Sequence, residues 1–350
     1  VAEQIPSVID DQADWRGPDL AARGDWLRPF KADQIAEIAA ALARFEATGK
    51  SIGAMTLEDF PLPEFAADLA QMSALLQNGP GIQMYRGFPV RDFTKPQLRL
   101  IYWGIGLHLG TARAQSRHGD VIGDVRQIVA HGKSFQGRSY TSSDDLHFHC
   151  DSSDVAGLFC LRIAKQGGIS RAVSIVAIHN EMARVAPDLL AALYRPLVYS
   201  WRDRQPPGAA PDYEQPMFAV EDGRFVSRVS PAYIRYGYEK RGTEMPADQK
   251  EAMDMFMGLT ENSAFFMEKE FEEGDIQFVN NLRLLHARSE FTDHADPDEK
   301  RHLLRIWLAT PDSPRLPQSF APYYGDVSAG AVRGGYWSDQ EPVFETKFAQ

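Results

Sequence analysis

The run Leu146-His147-Phe148-His149-Cys150-Asp151 sets three side chains able to hold a metal at alternate positions. On a regular strand alternate residues share a face, so His147, His149 and Asp151 project together. Three such groups are costly to bury unless hydrogen-bonded or metal-bound. An isolated His-x-Asp is more often a polar rim than a metal site. Other residues shift that balance. The turn Glu273-Gly274-Asp275 starts a strand that runs into Asn280-Asn281, and His286 follows. Beyond it, Arg301 and Arg305 stand four apart amid Leu, Ile and Trp. On a strand they face one side, and two guanidiniums there raise the question of which anion they hold. For Arg305 alone, pairing with an acid of the chain is the ordinary alternative. Two histidines and one carboxylate on one side of a metal leave the opposite side open. That donor set suits non-haem Fe(II), which must take a co-substrate and dioxygen together. A downstream arginine supplies a planar fork for a carboxylate.

The elements that must position these groups follow from periodicity. Ile35, Ile38, Leu42 and Phe45 trace a helix that Gly49 stops. A second helix is expected over Glu64–Leu76, broken at Asn78-Gly79-Pro80-Gly81, and a third over Lys95–Leu109. A short strand is expected at Ile82–Tyr85. From about residue 120 short β-rich runs take over: Gln127–Ala130, His147–Cys150, Gly157–Ile163, Ala172–Ile178, Arg224–Val229, Asp275–Val279 and Leu303–Leu308. Turn clusters such as Gln166-Gly167-Gly168 separate them. The pattern predicts a mainly β fold with flanking helices, a sandwich or jelly roll. Two helices interrupt it, His179–Tyr194, broken at Pro187, and Ala247–Leu259. The tail after Pro311 reads as coil packed on a surface. No repeat or low-complexity linker divides the chain. A single domain over 1–350 is expected, with 1–80 as a helical cover, 81–310 as the core and 311–350 as the tail. The N-terminal helices either cover the roll or form the face of a homo-oligomer.

Composition limits the partners. The 350 residues hold 37 Lys plus Arg against 48 Asp plus Glu, a formal net charge of −11. Such a balance argues against a nucleic-acid surface, which needs clustered cations. It leaves room for an anionic small molecule at a locally basic site. No apolar run approaches the roughly 20 residues of a membrane-spanning helix. The first residues are acidic and lack an apolar stretch, so no secretory leader is expected. Two cysteines, Cys150 and Cys160, are too few for a disulfide framework, and a reducing cytoplasm is the expected setting. Both are expected to serve as small apolar groups in strands. His118, His131, His294 and His302 lie among polar residues and are expected at the surface, while His108 and His179 border helices.

These parts together resemble the taurine dioxygenase-like (TauD/TfdA) family of Fe(II)/2-oxoglutarate-dependent oxygenases. The family's His-x-Asp pair corresponds to His149 and Asp151, its distal histidine to His286, and its Arg-x3-Arg pair to Arg301 and Arg305. Its Gly-Gly-x-Thr turn corresponds to Gly167-Gly168-Ile169-Ser170. The resemblance spans roughly residues 80–310, and four elements in the right order are far more specific than one. It implies a double-stranded β-helix, a jelly roll with the metal at its open end. His149, Asp151 and His286 are then the iron ligands. Arg301 grips the distal carboxylate of 2-oxoglutarate, and Ser170 supports it. Arg305 lies near the other end of 2-oxoglutarate or contacts an anionic substrate. Ser170 keeps the hydroxyl of the usual Thr but loses the methyl that restricts its rotamer. The halogenating branch of the class lacks the carboxylate that Asp151 retains, so a hydroxylase or another oxidising enzyme is implied. Fe(II), 2-oxoglutarate and O2 are the implied cofactors, with succinate and CO2 released.

Substrate contacts in such folds come from loops. The candidates are Gln115, Tyr140, Asp145, Asn281 and Arg305, with Asp144 beside them. Asp144 and Asp145 either face an amine or cap a turn. Tyr233, Tyr236 and Tyr238 line a lid or pack. His147 either hydrogen-bonds a ligand carboxylate or is a rim residue. Two other readings stand beside the oxygenase. The run from His147 to Asp151 looks like the start of a binuclear zinc hydrolase motif. That motif needs a histidine where Ser152 stands, and more histidines before His286 than His179 alone. A non-catalytic jelly-roll binding protein is the second, and the intact His149, Asp151, His286 and Arg301 speak against it.

Overall fold

The computed structural model describes residues 5–129 and 141–346. His131 and Tyr140 lie outside the described residues. The chain alternates between two facing sheets, the signature of a jelly roll. From Leu146–His149 in the smaller sheet it passes to Val155–Arg162 in the larger, then back to Ser170–Ser174. After an insertion it repeats the pattern: Phe266–Lys269 in the smaller sheet, Ile276–Asn280 in the larger, Leu284–Arg288 in the smaller and His302–Ala309 in the larger. The larger sheet runs in the order Leu27–Pro29, Ile82–Arg86, Ile276–Asn280, Val155–Arg162, His302–Ala309 and Thr111–Ala112. Ile122–Val125 also pairs with His302–Ala309. The first pair is parallel and the others antiparallel. The smaller sheet is antiparallel throughout, in the order Phe266–Lys269, Ser170–Ser174, Leu284–Arg288, Leu146–His149.

Every residue of His302–Ala309 is buried, because the larger sheet is covered on both faces. Leu304, Ile306 and Leu308 pack outward with Ile38, Leu42, Leu69 and Ile101 of the N-terminal helices. Leu303 and Trp307 pack inward with Phe148, Cys160 and Ala172. Period-two alternation therefore gives Arg305 the inward parity of Leu303 and Trp307, whereas Arg301 precedes the strand. The covering helices are Ala32–Thr48, Phe65–Asn78 and Lys95–Leu107. The first ends at Gly49 in the left-handed region, φ 66°. The third opens with a capping box in which Gln97 N–H donates to Thr94 Oγ1 and Thr94 N–H donates to Gln97 Oε1. These helices thus lie against the outer face of the larger sheet, to which the N-terminal region also contributes Leu27–Pro29 and Ile82–Arg86.

Several elements depart from expectation. The strand expected over Ala172–Ile178 ends at Ser174, and the helix Ile175–Val185 starts at once. Ser174 Oγ accepts from Ala177 N–H and turns the chain. That helix breaks at Ala186 before Pro187, as Pro187 predicts, and Pro187–Leu193 continues it. His179 lies within the first of these helices, fully buried, rather than at a border. Of the strand expected at Gln127–Ala130, Ala130 lies outside the described residues and 127–129 are irregular; a strand forms at Ile122–Val125. His302 is not at the surface: it is buried and its Nε2 sits 2.7 Å from Asp124 Oδ1. The insertion also holds the hairpin Pro196–Ser200 with Asp212–Pro216 and the helix Pro231–Arg241. Among the described residues the tail is coil apart from the short turns Gln318–Phe320 and Ala321–Tyr324 and a single bridge from Val343 to Asp120.

Candidate active site

The strand carrying the histidines ends at His149, so the regular alternation does not reach Asp151. Asp151 follows on a turn that Asn281 holds: Asp151 N–H donates to Asn281 Oδ1 at 3.0 Å, and Asn281 Nδ2 donates to Ser153 Oγ. Asn281 is fully buried and takes this place behind the carboxylate rather than on the cavity wall. Strand pairing delivers the third donor, since His286 is the register partner of His149. The two rings stand 4.5 Å apart. One ligand atom from each of His149, Asp151 and His286 falls within 4.8 Å of the other two. His147 is exposed at the cavity rim, and its carbonyl accepts from His149 Nδ1 at 2.7 Å. That bond makes Nδ1 the protonated nitrogen and leaves Nε2 available to a metal.

Electrostatics suit a cation at this point. Burial works against the Asp151 charge, but Arg305, His286 and His149 outweigh it and hold the carboxyl below its usual range. Burial, with His149 beside it, pushes His286 down to about 3 and keeps it neutral, as ligation requires. Asp151 Oδ2 and His286 Nδ1 are buried without a hydrogen-bond partner among the described residues. A buried carboxylate oxygen in that state calls for a partner from outside the chain. The donor set, its protonation and this orphaned oxygen fit a divalent iron.

Three further arginines line the interior. Arg305 Nη1 lies 3.4 Å from Asp151 Oδ1, and its Nε donates to Gln115 Oε1 at 2.7 Å. Gln115 spends its amide on Arg305 and on the carbonyls of Val121 and Arg305, so it orients the guanidinium. Arg301 is buried just before the same strand, and its backbone N–H is held by Asp293 Oδ1. No ion pair joins its guanidinium to a carboxylate among the described residues, and burial lowers its pKa. Arg288 escapes the motif reading. It is two residues beyond His286 and shares its face, which is the signal that finds it. Its Nη2 donates to the carbonyls of Ser142 and Asp144, its Nη1 is buried without a partner, and burial with Arg301 nearby pushes it down to about 9. Ser170 opposes Arg288 across the strands, and Phe291 lies between the two guanidiniums, 4.7 and 5.2 Å from them.

The triad opens into a cavity of about 1440 Å³. Gln115, Asp145 and Arg305 line it, and the insertion helix supplies Tyr233, Tyr236 and Tyr238. Asp145 Oδ1 also accepts from Glu290 N–H, and Asp144 is bound to Ser142 Oγ, so both acids shape their turn. Tyr140 lies outside the described residues. Cys150 and Cys160 are buried and free, and Cys150 Sγ turns to the Val229 carbonyl. His179 bonds to Tyr194 Oη at 2.8 Å and joins no metal cluster among the described residues, which removes the extra ligand a binuclear zinc site needs.

The roll, the His-Asp-His triad and the inward arginines define a non-haem iron oxygenase. A family model described as taurine catabolism dioxygenase TauD, TfdA family, matches residues 43–307, and the chain belongs to that family. It is similar to FR-33289 synthase of Streptomyces rubellomurinus, 29% identical over 341 residues, covering 95% of this chain and 99% of that one. It is similar also to taurine hydroxylase-like protein SAT17 of Stachybotrys chartarum, 27% identical over 317 residues, covering 87% and 80%. Among solved structures, asparagine oxygenase with Fe(II), 2S,3S-3-hydroxyasparagine and succinate matches with a TM-score of 0.62 at 18% identity, covering 81% of this chain and 93% of that one. The non-heme iron oxygenase OrfP with Fe and alpha-ketoglutaric acid matches at 0.61 and 17%, with the same coverage. These two share the fold. The chain is therefore an Fe(II)/2-oxoglutarate-dependent oxygenase acting on a small molecule. None of its described helices is long and apolar enough to cross a membrane.

Proposed function

We propose that His149, Asp151 and His286 hold the iron and that the enzyme hydroxylates a small substrate lying in the cavity beside them. The observation that carries this is the convergence of three ligand atoms within 4.8 Å around a buried, unpartnered carboxylate oxygen. When bound, iron supplies oxidation of a C–H bond by dioxygen, coupled to conversion of 2-oxoglutarate to succinate and CO2. The chain does the positioning. Arg301 receives the distal carboxylate of 2-oxoglutarate and Ser170 adds a hydroxyl. Arg288 adds positive potential next to Arg301 while it braces Ser142 and Asp144. Arg305, steered by Gln115, keeps Asp151 ionised and faces the co-substrate or an anionic substrate from the cavity wall. Asp145 belongs to the same wall, and Tyr140 is carried forward from its place in the sequence alone. The free buried cysteines are compatible with a reducing cytoplasm.

The test is an anaerobic titration of metal-free protein with Fe(II) and then 2-oxoglutarate, followed by the weak visible charge-transfer band of the chelate. The band should need both additions and vanish in His149→Ala. Arg301→Ala should raise the 2-oxoglutarate concentration needed by about 30-fold or more, the loss of one member of a buried charged pair. Unchanged affinity in that variant means Arg301 is misplaced. No band, with tight zinc binding instead, revives the hydrolase.

A further inference from the structure

One buried cation has no part in the chemistry above. Arg228 follows the strand Arg224–Ser227 and is fully buried, yet its Nε, Nη1 and Nη2 all lack a hydrogen-bond partner among the described residues. Arginine is almost never buried unless paired, and no carboxylate among the described residues pairs with this one. Arg333 shows the ordinary arrangement: it is just as buried, and its Nε donates to Asp154 Oδ1 at 2.8 Å.

Aromatic rings stand where an acid would be expected. The guanidinium lies 3.8 Å over Tyr323, and the rings of Tyr199, Tyr213 and Tyr233 are 5.1, 5.8 and 6.0 Å from it. Such rings attract a cation through their faces. They leave unanswered the N–H groups, which lie in the guanidinium plane. The cage is itself braced. Tyr199 stacks on Tyr213 at 5.5 Å, Trp201 stacks on Tyr323 at 5.4 Å, and Tyr199 Oη donates to the Arg228 carbonyl at 2.8 Å.

Other polar groups of this cluster are orphaned too. Tyr213 Oη and Tyr324 Oη are buried without a partner among the described residues. Tyr324 packs edge-on against Tyr323 at 5.3 Å, within electrostatic reach of Arg228. Gln215 shares the inward face of Tyr213 on the strand Asp212–Pro216, and both its amide atoms are unpartnered. A guanidinium only donates, and each phenol has one hydrogen to give. Water would accept these hydrogens but leave the charge unbalanced in a low-dielectric interior. A small anion that only accepts answers both needs.

We propose that Arg228 holds a halide, chloride in ordinary solution, with the hydroxyls of Tyr213 and Tyr324 completing its shell. Arg228 does not line the substrate cavity; it lies behind the turn that carries the iron ligands. Val229 N–H donates to Cys150 Sγ at 3.3 Å, Cys150 N–H donates to the Val229 carbonyl at 3.1 Å, and Cys150 stands between His149 and Asp151. The ion thus fastens the insertion hairpin and the tail turn Ala321–Tyr324 to the back of the iron site.

The test compares melts of the full chain in bromide, chloride and gluconate at equal ionic strength. Halide should raise the melting point over gluconate by about 2–4 °C, the linkage expected when the ion stands about 100-fold above its dissociation constant. Arg228→Met should melt alike in all three salts. Tyr213→Phe should raise the halide concentration needed by about 2- to 10-fold, the loss of one neutral hydrogen bond. Crystals of the parent protein grown in bromide should show an anomalous scattering peak beside the Arg228 guanidinium, a readout that does not depend on any variant folding. The proposal is overturned if that position holds water alone, or if parent and Arg228→Met respond to halide alike. A peak whose occupancy leaves the parent's melting point unmoved marks an adventitious ion only and overturns it as well.

Discussion

Removal of the Arg333 guanidinium is expected to reach the iron site through the tail. Arg333 Nε donates to Asp154 Oδ1 at 2.8 Å, and both side chains are fully buried. The guanidinium also donates to the carbonyls of Ser328 and Pro314, and Asp154 Oδ2 accepts from Thr310 N–H. Next to this pair, Gly335 N–H donates to the Ser152 carbonyl at 2.6 Å and Tyr336 N–H to the Ala114 carbonyl at 2.8 Å. The tail therefore clasps the turn that carries Asp151. Arg333→Met leaves a buried carboxylate without its cation, which costs about 3–5 kcal/mol. With an unfolding entropy of about 2.1 cal/mol/K per residue, the 350-residue chain should melt about 4–7 °C lower. The sign with pH is fixed as well. Burial raises the Asp154 pKa, and Arg333 offsets part of that rise. Without Arg333 the folded pKa climbs further above the unfolded value. The folded state then binds the proton more tightly, so the deficit should shrink as pH falls from neutral through the folded pKa. The double variant Arg333→Met with Asp154→Leu should recover much of the loss. Thermal melts at pH 7.5 and 5.5, with Fe(II) titration of each variant, read all of this. A melting point unchanged within about 1 °C, or a double variant no better than the single, refutes the clasp.

Burial pushes His179 down to about 4 from 6.5, so the unfolded chain takes up its proton first and stability falls as pH drops from 6.5 to 4, by about 3 kcal/mol at most; denaturant titrations of His179→Gln across that range should lose this slope. Asp124 keeps a carboxyl at about 2 because, against burial, it accepts from His302 and pairs with Arg99; its stabilisation of about 2 kcal/mol is present above pH 4 and lost as pH falls toward 2, and Asp124→Asn should flatten that acid limb in melts. Gly274 has φ 91° and a Cβ there would lie 2.0 Å from the Phe88 carbonyl oxygen, so Gly274→Ala should cost more than the ~1–3 kcal/mol of backbone strain alone, seen as a large fall in melting point.

The parts of the site visible in the sequence are those that one strand or one turn carries. His149 and Asp151 are neighbours in the chain, Arg301 and Arg305 stand four apart, and Gly274-Asp275 marks where a strand begins. Their union is a matter of register: His286 meets His149 because Leu284–Arg288 pairs beside Leu146–His149, and spacing along 136 intervening positions states no register. Only the resemblance to a family supplied it. Asn281 shows the opposite failure. As a polar residue near the motif it looked like a substrate contact, yet a buried amide does most for a fold by satisfying backbone, and it does so for Asp151. His302 misled for the same reason, since the acid that makes its burial tolerable, Asp124, lies on another strand. On the cavity wall, Arg202, Arg204 and Tyr336 had no local signal at all. They come from the insertion and the tail, segments whose packing onto the roll depends on no periodicity of their own. The separate pieces of the iron site are thus written in short-range pattern, while their convergence and the rest of the cavity wall are written in tertiary packing. Family motifs can therefore report the reaction while leaving the substrate to be read from the cavity.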